Sequence, residues 1–248
     1  MDGVTVTKDL LSSLSDAVVD VPIIIQTMLC EMDTFEPNKT IYDMTVAQYE
    51  SFVIDHFESH GWPPGSGQLI NAMYAEQHAI SIELAYQQWI AEYSFLCGNI
   101  QAAVTAGQSF KSPVYLSLIA RGPDHPLSLL PFQPPAKFAG HMWDYIAATN
   151  AWDWFHVCAL TPRYEPTAGD IAFGQVLLNQ WLDFAVNAML PPSSGIQPVN
   201  STPNFPASYL LALQNSTVPQ MVESYGADHC STFMQSPLNL NESFWLTN

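Results

Sequence analysis

The sequence predicts an α/β fold built as a mixed sheet with helices on both faces. Two observations carry that prediction. Short apolar runs rich in β-branched residues alternate with long stretches of helical periodicity. In addition, no internal repeat and no long linker divides the 248 residues, so one architecture serves the whole chain.

The elements follow in order. Residues 22–28 form a β-branched apolar run long enough for a buried strand. Residues 45–60 place Val46, Tyr49, Phe52, Val53 and Phe57 at helical spacing, with Thr45 as N-cap. Helices are expected over 68–75 and 80–95, with a further short one over 99–106. Residues 113–120 read as a second strand. The stretch 122–136 holds five prolines and reads as a loop. Residues 171–189 predict a helix with Trp181, Phe184 and Ala185 on one face, and 209–213 predict a late strand.

Composition narrows the function. Hydrophobic residues make up 48% and charged residues 12%, about half the roughly 25% usual in soluble domains. That excludes a disordered chain. The longest apolar stretch, 17–28, is broken by Asp20, Pro22 and Gln26, too short for a membrane span. A net charge of −17 with six basic residues excludes a nucleic-acid binder. The acidity reads either as a field that steers cationic esters or as the ordinary balance of a secreted glycoprotein, and the second is preferred. Sequons stand at Asn38, Asn200, Asn215 and Asn241, which points to an extracellular or secretory location, although residues 1–4 open no signal peptide.

Two segments carry chemistry. Val21-Pro-Ile-Ile-Ile-Gln-Thr-Met-Leu-Cys-Glu31-Met-Asp-Thr-Phe35 sets a carboxylate just past the carboxyl end of a strand, where α/β sheets hold their sites. Phe138-Ala-Gly-His141-Met-Trp-Asp144 sets an imidazole in a glycine-containing loop after the next strand. An acid that precedes the histidine in the chain matches the order Ser, Asp/Glu, His of the α/β-hydrolases. There the acid fixes the imidazole tautomer, and the histidine moves the proton of the nucleophile.

Other candidates read as structural. His56 and His60 stand four apart on a helix, a spacing that zinc uses, but no third ligand is evident. Asp153-x-x-His156 and Asp228-His229 fall in no recognisable motif. Trp143, Trp152 and Trp154 form an aromatic patch expected to pack in the core.

Further anchors are Asp2-Gly3, Trp181-x-x-Phe184-Ala185 followed by Pro191, Cys97 in Phe95-Leu-Cys-Gly, and Cys230-Ser-Thr-Phe233. With Glu31, Phe35 and the segment from Ala139 through His141 to Asp144, this ordered set resembles the C-terminal half of a type-B carboxylesterase, the family that includes cholinesterases. The resemblance implies that residues 1–248 are a partial domain, the C-terminal portion of an α/β-hydrolase whose N-terminal portion is missing. It implies Glu31 as triad acid, His141 as general base, and Asp144 as a brace for the histidine loop. It pairs Cys97 with Cys230, against the alternative of two free buried thiols, and leaves Cys30 and Cys158 free and buried. No cofactor and no metal is implied; the partner is a small-molecule ester if the complete domain exists, or a protein if the chain is non-catalytic. The resemblance also gives the patch of Trp143, Trp152 and Trp154 a second reading, as a wall for substrate. Gln26, Met32, Met142 and Ala188 stand where the family has glycines. No Gly-x-Ser-x-Gly occurs; Gly65-Ser66-Gly67 and Gly107-Gln-Ser109 do not fit. The nucleophile and the oxyanion segment are therefore expected outside this sequence. Two expectations follow: a serine esterase fragment inactive by itself, or a catalytically inactive cholinesterase-like adhesion or binding protein. With Met1 as the true start, half a sheet would expose an unpaired edge.

Overall fold

A computed structural model describes residues 8–17, 19–34, 39–129, 131, 134–202, 204–206 and 208–235. The anchors Asp2-Gly3 and Phe35 and the sequons Asn38 and Asn241 lie outside the described residues.

Four strands form one mixed sheet in the order β1-β2-β3-β4. β1 (Ile23–Met28) runs parallel to β2 (Val114–Ile119), with Ile23 opposite Val114 and Met28 opposite Ile119. β3 (Leu210–Gln214) runs parallel to β2, and β4 (Gln220–Glu223) closes the sheet antiparallel to β3. Every residue of β2 is buried, as a central parallel strand requires. Pleating sends Val114, Leu116 and Leu118 into one hydrophobic cluster, and Tyr115 and Ile119 into two others. The sheet is thus covered on both faces.

The first face is covered by helices early in the chain. α1 (Leu10–Ser15) packs on α6 (Cys97–Ser109), while α2 (Val46–Ser59) packs on α3 (Ser66–Met73). Thr45 and Gln48 form a reciprocal capping box at the start of α2. α4 (Ala75–Ile80) leads into α5 (Ile82–Ala91), capped by Ser81. A π-helical turn, Glu92–Leu96, joins α5 to α6 without a break. The expected gap between 95 and 99 is therefore absent: the π turn absorbs the extra residue, and Gly98 stays inside the helix.

The second face carries α7 (Trp143–Thr149), packed on α9 (Ala168–Asn187). α9 begins earlier than the periodicity predicts because Thr167 and Asp170 form a capping box. α8 (Trp154–Ala159) lies on the surface, and α10 (Ala227–Gln235) follows β4. Cys158 on α8 is exposed, a correction to the buried thiol expected, because the neighbouring Val157 and Leu160 also face outward. Cys30 is buried, and burial pushes its thiol well above the ordinary range. A disulfide joins Cys97 to Cys230 and ties α10 to α6.

Candidate active site

The geometry is set at the carboxyl ends of β1 and β2. Leaving β1, the Leu29 amide donates to the carbonyl of Ile119 at the end of β2 (2.9 Å). The Cys30 amide donates to the Ala139 carbonyl (3.0 Å), and the His141 amide donates to the Glu31 carbonyl (3.1 Å). Asp33 accepts from the amides of Lys137 (2.7 Å) and Phe138 (2.8 Å). These bonds stitch the segment after β1 to the loop after β2. That stitching brings together side chains 110 residues apart: Glu31 Oε1 lies 2.5 Å from Nδ1 of His141.

The pair is asymmetric. Glu31 is 9% exposed, and its Oε2 accepts from the Met28 amide at 2.9 Å. The His141 side chain is 48% exposed. The hydrogen bond that His141 donates to Glu31 raises the His141 pKa above its ordinary value, against the opposing effect of burial. A fixed carboxylate on Nδ1 sets the tautomer and leaves Nε2 to exchange protons.

Met142 turns the chain into α7 at a left-handed φ of 68°. The backbone thus keeps the conformation that a glycine would favour there. Asp144 accepts from the Gln26 amide (2.7 Å) and from the Tyr145 backbone (2.8 Å), tying the start of α7 to β1. Burial raises the Asp144 pKa, and these two bonds oppose the shift. Beside the pair opens a cleft of about 420 Å³, walled by Gln26, His141, Met142, Tyr145 and Trp154. Trp143 packs in the core against Trp152, whereas Trp154 is exposed at the cleft.

The remaining candidates have other partners. A groove of about 610 Å³ along α2 holds His56 and His60, whose rings stand 4.6 Å apart. Nδ1 of His60 contacts the His56 carbonyl at 2.5 Å. Among the described residues no group of three or more His, Cys, Asp or Glu gathers as metal ligands. Asp153 pairs with Arg163 rather than with His156, which contacts the Thr161 carbonyl. His229 pairs with Glu92, 137 residues away, and not with Asp228. No local pattern in the sequence reports that pairing. The Asn200 amide donates to the carbonyls of Phe110 and Ser112, so this sequon's nitrogen is engaged within the fold. Asn215 is exposed after β3.

No protein-family model and no curated protein matches this sequence. Solved structures do. A PNB esterase aligns with a TM-score of 0.51 at 13% identity, over 90% of this chain and 40% of that one. Juvenile hormone esterase from Manduca sexta, with OTFP covalently attached, aligns at 0.53 and 16% identity, over 89% and 42%. An esterase from Clostridium hathewayi, described as able to hydrolyze aliphatic aromatic polyesters, aligns at 0.51 and 12%, over 86% and 37%. The likeness is one of fold: this chain has part of the α/β-hydrolase architecture that those structures share. It spans about two-fifths of the length of those esterases.

Proposed function

We propose that this chain is the C-terminal half of a type-B carboxylesterase and that Glu31 and His141 are its triad acid and general base. The observation that carries this reading is the 2.5 Å contact between Glu31 Oε1 and His141 Nδ1 at the ends of adjacent parallel strands. A buried acid on Nδ1 and an accessible imidazole suit proton transfer in acyl transfer from an ester.

In this reading His141 takes the proton of a serine hydroxyl supplied from outside these 248 residues as the oxygen attacks the ester carbonyl. It then returns that proton to the departing alcohol. Glu31 holds the imidazolium that forms in between, and the cleft beside Trp154 and Tyr145 receives the small-molecule ester. A secretory location belongs to the same proposal; the Cys97–Cys230 disulfide supports it, because such bonds persist in oxidising compartments. Asn215 is the described sequon open to glycosylation.

The test is the transcript upstream of Met1 and the protein it encodes. A Gly-x-Ser-x-Gly about 125 to 130 residues before Glu31 is expected by the family resemblance. The longer chain should then hydrolyse p-nitrophenyl acetate, and His141→Ala should lower the rate at least about 100-fold. Another residue in place of that serine, with no turnover, makes the chain a binding module instead.

A further inference from the structure

The turn from β4 into α10 gathers a second set of reactive groups. Ser224 follows β4 directly, sits at a left-handed φ of 52°, and precedes Tyr225, Gly226 and α10. A serine on a strained strand-to-helix turn presents its hydroxyl clear of the sheet. Of the Gly-x-Ser-x-Gly pattern only the second half is present, as Ser224-Tyr225-Gly226, with Val222 in the first glycine's place.

Inside α10, Nδ1 of His229 lies 2.8 Å from Oε2 of Glu92. Glu92 is 1% exposed, and the same oxygen accepts from the Tyr74 hydroxyl at 2.6 Å. The carboxylate therefore holds Nδ1 and leaves Nε2 for a hydroxyl, as in the first pair. Ser224, His229 and Glu92 line one cavity of about 490 Å³, together with Gln77, Gln88 and Tyr225. That cavity shares no lining residue with the cleft at His141. The backbone amides of Tyr225 and Gly226 follow the serine directly in the chain and donate in none of the turn and loop backbone hydrogen bonds among the described residues. Unpaired backbone amides next to a nucleophile are the kind of donor that a developing oxyanion uses. Contact with Glu92 also raises the His229 pKa, which makes the imidazole a better base.

We propose that Ser224, His229 and Glu92 form a second nucleophile, base and acid, which accept the acyl group of a small activated carboxylic ester entering this cavity. The serine Oγ bonds to the carbonyl carbon, and the hydroxyl proton passes to Nε2 of His229. The bond to the alcohol oxygen breaks, and the alcohol leaves with that proton. Water then attacks the acyl-serine, giving one proton to His229, which returns it to Oγ as the carboxylic acid departs. This site is independent of the Glu31–His141 reading.

The experiment uses the full chain with its disulfide intact and a biotin-bearing alkyl fluorophosphonate. In that reaction Oγ bonds to phosphorus, fluoride leaves, and the proton goes to His229. Tandem mass spectrometry locates the adduct. The expected result is an adduct on Ser224, lost when the chain is unfolded in guanidinium and lost in Ser224→Ala. His229→Ala should slow labelling roughly 100-fold or more, and added imidazole should restore it. An unlabelled Ser224 in the folded wild-type chain overturns the proposal without any variant. Labelling that survives unfolding, or that proceeds equally fast in folded His229→Ala, overturns it as well. Neither outcome bears on the titration of His141.

Discussion

Met142 and Ala188 both stand where glycines were expected, and both adopt left-handed backbone, at φ 68° and 58°. For a residue with a Cβ that conformation costs about 1 to 2 kcal/mol. Ala188 is exposed at the end of α9, so replacing it removes no packing. Ala188→Gly should therefore raise stability by about 1 kcal/mol, read as a higher urea midpoint at unchanged slope. An unchanged midpoint would show that the left-handed turn carries no strain. Met142 packs partly against the second core cluster, so there the relief is offset by lost contacts. The positions of these turns were legible as departures from a glycine pattern. The residues themselves gave no hint that the turns would survive.

Asp33 illustrates what a single element contributes. Burial lifts its carboxyl to about 6 although it accepts two backbone hydrogen bonds from the loop that leads to His141. Its folded pKa lies above the unfolded value, so the native state holds a proton that the unfolded chain has lost. Stability from this group is present below about pH 4 and falls as pH rises to about 6. Asp33→Asn keeps an acceptor for both amides and should flatten the stability slope across that window, measured by urea unfolding at successive pH values. A slope unchanged in the variant would assign the effect elsewhere.

The disulfide acts at the same scale. It closes a separation of 133 residues, for which the chain-entropy model gives roughly 4 to 5 kcal/mol. Cys230→Ser should accordingly lower the urea midpoint sharply, and a shift within error would mean the bridge adds nothing.

Strands β1 to β3 and the long helices were readable because apolar runs and periodicity report burial directly. β4 was not, being four residues long and mostly half-buried to exposed. α7, α8 and α10 are short, and tertiary packing rather than periodicity decides them. The Glu31–His141 candidate was reachable from motif order. Asp33 and the Glu92–His229 contact were not, because their partners lie more than 100 residues away and no local spacing encodes them.

Across the whole molecule, His141 and His229 both have pKa values raised by their glutamates. Each contribution is fully present below the ordinary histidine value of 6.5 and is lost as pH rises through the raised folded value. Self-repulsion from a net charge of −17 acts in the same direction. The thermal midpoint should fall from pH 5 to pH 8, and a rise over that range would contradict these shifts. Among the described strands β1 pairs only with β2, so its outer edge is open. The purified 248-residue chain should therefore self-associate, and a monodisperse monomer by light scattering would show that edge to be covered.

The proposed hydrolase chemistry requires a carboxylate and an imidazole that meet across 110 residues. NMR titration of the His141 ring, assigned with His141→Gln, tests this most directly. Its midpoint should lie above 6.5 in the wild-type chain and drop in Glu31→Gln, where the charge is gone but the shape remains. A midpoint identical in both proteins would mean that Glu31 does not hold His141, and the proposed hydrolase function would go with it.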